Sequence, residues 1–404
     1  MKKIRFLSLI LTVSILFSLC VSSAGAFDSE IVSSKTVQAR AAILVDMDTD
    51  YVMYDLNAHE KMYPASITKV MTAALTLDAV SEGKLSLDEM ITAGPTAWQG
   101  LDTSSSNQNI QVGEQMSVKD LLYCLMVASA NEAANILAVA VAGSIDNFVA
   151  MMNAKAAELG CTGTHFVNPD GMPDNDHYTT AYDLYLIGKY AMQNETFRTI
   201  VKTPEYYVEP TNMNGNRRHF FNTNGLLSNK KYAGYYYENC IGIKTGSTDS
   251  AGYCLLSAAE KDGQRLIAVV LGTPAGQTRF DEARAMLEYG FANVQLVTPI
   301  AQGQALDMTV PVRLGGRDEV SVLSGGTCSL LERRGEKNAL SLEAALVEKV
   351  NAPVYAGDVL GEIRVKRGDE VVAVVPAVAG EDVQLPGMVD ALIRIRDHFM
   401  LTGA

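Results

Sequence analysis

"CIGIKTGSTDSAGYCLLSAAEKDGQRLIAVVLGT", residues 240–273, reads as three β-strands, with a tight reversal at Asp262-Gly263. Aliphatic residues crowd each run, and an Asp-Gly pair between two such runs is a strong hairpin signal. Upstream, "RAAILVDMDTDYVMYDLNA" (40–58) reads as two further strands turning at Asp48-Thr49-Asp50. Helical periodicity fills the space between, over 66–81, 118–141, 146–159 and 179–193, and another helix follows the last strand over roughly 278–292. Strands first and last, with helices between, predict an α+β domain: an antiparallel sheet with helices packed on both faces. After about residue 296 the texture changes to short β-rich segments with Gly turns, such as "DVLGEIRVKRGDEVVAVVPAVAG" (358–380), which predict a small all-β domain. Within it, Arg367-Gly368-Asp369 reads as a hairpin turn rather than as an adhesion tripeptide.

The N-terminal edge has the layout of a secretory signal peptide over residues 1–26: Lys2, Lys3 and Arg5, an apolar run from Phe6 to Val21, then Ala24-Gly25-Ala26. A lipoprotein reading of Cys20 is disfavoured by the bulky Leu19 before it. Without that segment the chain carries 30 Lys+Arg against 46 Asp+Glu, a net of -16, which argues against nucleic acid as a partner. The five remaining cysteines are odd in number, widely spaced and free of any C-x-x-C pair. Buried free thiols are expected, with neither a disulfide framework nor a zinc site. About 380 residues exceed one ordinary core. The expected division is a first domain over 27–295, a β-sandwich domain over 296–385 and an amphipathic helix over 386–404.

The chemistry starts at "YPASITKVMTA", residues 63–73. Pro64 suits the first turn of a helix, and Ile67, Val70, Met71, Ala74 and Leu75 wrap that helix in apolar side chains, so it belongs in the domain centre. Ser66 and Lys69 then lie one turn apart on one face. In an isolated S-x-x-K match, Ser66 would simply cap the helix and Lys69 would reach to water. A lysine on a buried helix instead has its pKa lowered, and a lowered lysine can take the proton of a neighbouring hydroxyl. Further parts occur in order along the chain. "LMVASANEAANILA" sets Ser129 and Asn131 at a break between two helical runs, where a serine could relay a proton and an asparagine could hold a substrate amide. "GIKTGSTDSAGY" sets Lys244, Thr245 and Gly246 on a strand, where Gly246 would let another backbone approach and its neighbours would meet an anion. Each motif is weak alone; the three in order are not.

With 63 residues from Ser66 to Ser129 and 115 from Ser129 to Lys244, the trio resembles the serine-type D-alanyl-D-alanine carboxypeptidases, the low-molecular-mass penicillin-binding proteins of bacterial cell-wall metabolism. "FVNPDGMPDNDHYTTAYDLYLIGKYAM", "KTGSTDSAGYCLLSAA" and the small β domain with its terminal helix extend the likeness over nearly the whole mature chain. The resemblance implies a β-lactamase/transpeptidase-like first domain. It also implies Ser66 as nucleophile, Lys69 as general base and Ser129 as proton shuttle, with Asn131 and Lys244 completing the network. The backbone N–H groups of Ser66 and Ser247 would form the oxyanion hole, and Thr245 and Arg279 would hold the substrate's terminal carboxylate. The strand carrying Lys244 would pair with extended substrate as an added strand. No cofactor and no metal is implied. The expected partners are a peptidoglycan stem peptide ending in D-Ala-D-Ala and β-lactams as covalent inhibitors. One position departs from the pattern: Asp170 precedes Gly171 of the N-P-x-G loop, where related enzymes often have His. His165, His177 and His219 stand in no metal or triad spacing and read as structural.

At the C-terminus, "PGMVDALIRIRDHFMLTGA" gathers Met388, Val389, Leu392, Ile393, Ile395, Phe399 and Met400 largely on one side of a helix. Too short and charged to span a bilayer, it suits the membrane interface, so the expected location is the outer face of the cytoplasmic membrane. Two rival functions share part of the pattern. A class A-like β-lactamase needs a deacylating carboxylate, and no E-x-x-L-N pattern occurs in 160–190. A non-turnover β-lactam sensor or wall-binding protein would not need every catalytic position filled by a competent residue.

Overall fold

A computed structural model of the chain describes residues 37–102, 104–334, 340–389, 392, 393 and 396. The expected signal peptide over 1–26 lies outside them. So does much of the terminal helix; Met388, Val389, Leu392, Ile393 and Arg396 are described, all helical and exposed. The described residues form two compact units, one from 37–297 with 330–334, the other from 298–329 and 340 onward.

The first unit is organised by a five-stranded antiparallel sheet of β1 (Ala41–Asp46), β2 (Val52–Leu56), β3 (Cys240–Thr248), β4 (Gly252–Lys261) and β5 (Gln264–Thr273), in the order β2-β1-β5-β4-β3. Asp262 (φ 51°) and Gly263 (φ 80°) make the β4–β5 turn, and two positive φ values in a row give it the twist a two-residue hairpin requires. Both faces are buried, which is why the strands read as nearly continuous apolar runs. Ile43, Val45, Leu256, Ala258, Ile267 and Val269 face one core, and Leu44, Leu255, Leu266, Ala268 and Val270 face the other.

Among the described residues, seven α-helices accompany the sheet: α1 (Lys69–Ser81), α2 (Val118–Tyr123), α3 (Asn131–Ala142), α4 (Ile145–Glu158), α5 (Ala181–Ala191), α6 (Glu195–Lys202) and α7 (Thr278–Asn293). Helix α7 covers the second core with Phe280, Ala283, Met286, Leu287 and Phe291, while α1 and α5 lie in the first. Side-chain oxygens of Ser117, Ser144, Thr180 and Asn194 cap α2, α4, α5 and α6 by accepting an otherwise unpaired backbone N–H. The break expected at Ser129 and Asn131 within 118–141 is present: α2 runs into a π turn at Cys124–Ala128, Ser129 adopts the left-handed region, and α3 starts afresh at Asn131. Helix α6 and two antiparallel strand pairs, Met90–Thr92 with Gln115–Ser117 and Glu205–Val208 with Arg218–Phe221, were not expected from the sequence. The four strands, of three or four residues each, are too short to show a readable alternation.

Up to residue 387 the described part of the second unit has strands and no helix. The sandwich expected there is, in hydrogen-bonding terms, one continuous order of six strands: Leu340–Leu346, Val359–Arg367, Glu370–Ala379, Glu319–Ser324, Ala305–Arg313 and Val350–Asn351. The reversal at Gly368-Asp369 joins its second and third strands. All five described cysteines are buried, and Cys124, Cys161, Cys240 and Cys254 are free thiols.

Candidate active site

Pro64 opens a 3-10 turn, Ala65–Thr68, that runs straight into α1 at Lys69. Ala65 has φ 49°, a left-handed conformation that a residue with a Cβ rarely adopts. Two glycines close on this turn. A Cβ on Gly171 (φ 88°) would lie 1.9 Å from the Ala65 carbonyl oxygen and 3.0 Å from the Ser66 nitrogen. A Cβ on Gly246 would lie 2.8 Å from the Pro64 oxygen and 3.1 Å from the Ser66 nitrogen. The Ser66 backbone is thus gripped between the 166–178 loop and β3, the edge strand of the sheet. Gly171→Ala must push that loop off the turn, since neither the φ nor the backbone contact admits a methyl group. It is expected to cost at least about 1–3 kcal/mol, as overpacking does. Thermal melting checks this; a wild-type melting temperature would contradict the grip.

Lys69 is fully buried, and its Nζ lies 3.0 Å from Ser66 Oγ, 2.6 Å from Asn131 Oδ1 and 2.5 Å from the Asp170 carbonyl oxygen. Burial pulls its pKa down to about 8, against the opposing pull of the Asp170 and Glu132 carboxyls. The three partners differ in kind. The Asp170 carbonyl and Asn131 Oδ1 can only accept, so a neutral Lys69 keeps its two N–H groups on them and turns its lone pair to the one partner that can donate, the Ser66 hydroxyl. That geometry suits removal of the Ser66 proton.

Asn131 opens α3 two residues after the left-handed Ser129, with the extended Ala130 between them, and Ser129 is almost wholly buried. The break thus serves to aim Asn131 at Lys69. Glu132, next in the chain, is completely buried; its Oε1 accepts the N–H groups of Gln108 (2.6 Å) and Ile110 (3.3 Å), and burial raises its pKa.

Along β3, Lys244 is buried and donates to the Thr245 carbonyl at 2.9 Å. Burial drives its pKa well down, with repulsion from Lys69, Arg279 and Lys231 adding to the shift. Thr245 Oγ1 donates to Thr223 Oγ1 at 2.6 Å. Ser247, two residues on, is exposed. Arg279, in the first turn of α7, donates through one terminal nitrogen to the Gly246 carbonyl at 3.0 Å and lies over the rings of Tyr253 and Phe280. Its Nε is buried without a partner. Hydrogen bonds therefore join Ser66, Lys69 and Asn131 directly, and Arg279 to the backbone of the Gly246 strand. Lys244 meets Lys69 through charge repulsion.

Several contributors carry no motif. Asp170 holds Lys69 with its main-chain carbonyl, while its carboxylate accepts the Met172 N–H at 2.7 Å. The departure at this position therefore leaves the lysine's anchor intact, because any residue supplies that carbonyl. Thr72 ties the same loop to α1 by donating to the Pro169 carbonyl at 2.5 Å. His177, read as structural, is buried and hydrogen-bonded to Thr68 beneath the Ser66 turn. The Gly after Asp170 was the available signal for a loop in close backbone contact.

Residues 28–275 match a family described as D-alanyl-D-alanine carboxypeptidase, and residues 295–385 match one described as penicillin-binding protein 5, C-terminal domain. The D-alanyl-D-alanine carboxypeptidase DacF of Bacillus subtilis (strain 168) is 31% identical over 392 residues, covering 96% of this chain and 97% of that protein. DacC of Escherichia coli (strain K12), of the same description, is 33% identical over 362 residues, 88% of this chain and 87% of its own. Among solved structures, penicillin binding protein 5 from Haemophilus influenzae superimposes with a TM-score of 0.70 at 28% identity, covering 87% of this chain and 98% of that one.

Proposed function

The chain belongs to the D-alanyl-D-alanine carboxypeptidase family, and on that premise we propose which of its residues carry the reaction. The enzyme is a serine hydrolase that removes the terminal D-alanine from peptidoglycan pentapeptides through an acyl-enzyme, and penicillin acylates it. Ser66 is the nucleophile, and the observation that carries this is the Lys69 Nζ, 3.0 Å from Ser66 Oγ with its other two contacts fixed on pure acceptors.

As Lys69 takes the hydroxyl proton, Ser66 Oγ attacks the carbonyl carbon of the penultimate D-alanine. The oxyanion that forms is held by the N–H groups of Ser66 and Ser247, which the contact of Gly246 with the Ser66 nitrogen supports. The C–N bond then breaks, the leaving D-alanine nitrogen takes a proton relayed through Ser129, and water hydrolyses the ester to restore Ser66. Lys244 and Asn131 complete the proton network. The strand edge at β3 favours an extended peptide, and Thr245 with Arg279 favours its terminal carboxylate. Incubating the purified mature protein with a pentapeptide ending in D-Ala-D-Ala and weighing the products tests the reaction. Steady D-alanine release is expected; a covalent adduct without release would indicate a sensor, and preferential turnover of the drug a lactamase.

The chain is exported behind residues 1–26 and acts at the outer face of the cytoplasmic membrane, held by the apolar side of its last residues. The exposure of Met388, Val389, Leu392 and Ile393 supports this. A net charge of -16 is a poor match to anionic lipid, so the attachment rests on that apolar side and not on charge. Ending the chain near Pro386 is expected to release an active enzyme from membranes. High salt should strip little of the full-length protein, detergent nearly all. A truncated enzyme that stays bound, or loses activity, would place that helix on the protein instead.

A further inference from the structure

A buried chain of hydrogen bonds runs under Ser66 and ends on the peptide bond that precedes it. The Val167 N–H donates to His177 Nδ1 at 3.2 Å. Because a backbone N–H can only donate, Nδ1 is an acceptor and the ring proton resides on Nε2. That Nε2–H meets Thr68 Oγ1 at 2.8 Å, and the Thr68 hydroxyl, its acceptor role taken, donates to the Ala65 carbonyl oxygen at 2.9 Å. Thr68 and His177 are both buried, and Phe166 packs edge-on against the imidazole. Burial pushes His177 down to about 4, with Lys69 and His165 lowering it further and Asp174 opposing, so the ring is neutral at pH 7 and the direction of the chain is fixed.

The Ala65 carbonyl and the Ser66 N–H belong to one rigid, planar peptide unit. Whatever fixes the direction of the carbonyl fixes that of the N–H. Ala65 holds its strained φ of 49° at this point, so the direction of its peptide plane depends on the contacts made to it, the Thr68 hydroxyl among them. We propose that Thr68 and His177 are positioning residues for the oxyanion: through the Ala65 carbonyl they hold the Ser66 N–H pointed at the site where negative charge develops. This rests on the reading of that N–H as an oxyanion donor, given above. Neither side chain touches substrate; both act through one peptide plane.

The test separates acylation from binding. Labelled penicillin gives the acylation rate at saturation and the dissociation constant before it, and a D-Ala-D-Ala peptide gives kcat and KM. Thr68→Val, nearly isosteric but without the hydroxyl, is expected to slow acylation and kcat about tenfold or more, part of the 10²–10³ lost when a whole oxyanion donor is removed. The dissociation constant should stay within about twofold. Thr68→Ser, which restores the hydroxyl, should return acylation to within about threefold of wild type. A peptide boronate, whose tetrahedral adduct on Ser66 puts an oxygen at the oxyanion position, should lose affinity for Thr68→Val by about the factor lost in kcat. A purely structural role would lower the melting temperature without this split.

Should Thr68→Val not fold, His177→Gln and His177→Leu decide the same question. The glutamine amide can still donate to Thr68 and should keep acylation within about fivefold, whereas leucine should lose tenfold or more. Acylation by Thr68→Val within twofold of wild type, a parallel loss of rate and binding, or equal rates for the His177 pair overturns the proposal. A wild-type enzyme that forms no adduct at Ser66 would instead overturn the assignment of the nucleophile.

Discussion

Ser66→Ala is expected to abolish covalent penicillin labelling and to lower D-alanine release by at least about 10⁴-fold, the scale on which serine enzymes fall when the nucleophile is removed. The reason is geometric as well as chemical. Among the described residues no other hydroxyl lies within hydrogen-bonding distance of the Lys69 amine, whose remaining contacts are Asn131 Oδ1 and the Asp170 carbonyl. No second nucleophile is placed to take over. Noncovalent binding should survive, because the β3 edge, Thr245 and Arg279 are untouched. Peptide mapping of labelled wild-type protein should find the drug on the peptide containing Ser66; label on any other residue, or residual label in Ser66→Ala, would give the role to another group.

Lys69→Ala should leave a folded protein in which acylation is down by about 10² or more, the contribution expected of a positioned general base. Its pH profile carries the sharper signature. The base acts only when neutral, and burial lowers its pKa from the usual 10.5 to about 8, so acylation by the wild type should rise with pH through about 8. That rise should vanish in the variant. At pH 7 roughly a tenth of the lysine is neutral, one pKa unit below its midpoint. The Asp170 and Glu132 carboxyls favour the protonated form. Glu132→Gln should therefore move the rising limb to lower pH. A wild-type profile flat across 7–9, or near-normal acylation in Lys69→Ala, would assign the base elsewhere.

Much of this site could be read from local sequence. Ser66 and Lys69 are three residues apart on one helical turn, so their contact follows from helix geometry alone. Ser129, Asn131 and Lys244 could be read only through motif order, because their spacings of tens of residues have no local geometric meaning. His177 and Thr68 could not be read as a pair: they are 109 residues apart, and a buried histidine has the same signature whether it fills space or holds a hydroxyl. The Asp170 carbonyl was unreadable in principle, since every residue carries one. The same position explains why a changed side chain in the N-P-x-G loop need not change the chemistry.

Composition and period alone determined the antiparallel sheet, the helices around it, the β-rich unit after it and the free thiols, because burial on both faces of a sheet writes itself as apolar runs and helical packing as a repeat of 3.6. They also determined that Lys69 lies on a buried helix beside a hydroxyl. Tertiary structure decided what surrounds that lysine. Its other two contacts come from 62 and 101 residues away, delivered by the start of α3 and by the loop that Gly171 allows to touch the Ser66 turn. Which acceptors surround an amine in three dimensions depends on how loops close, and it is those acceptors that turn its lone pair toward Ser66.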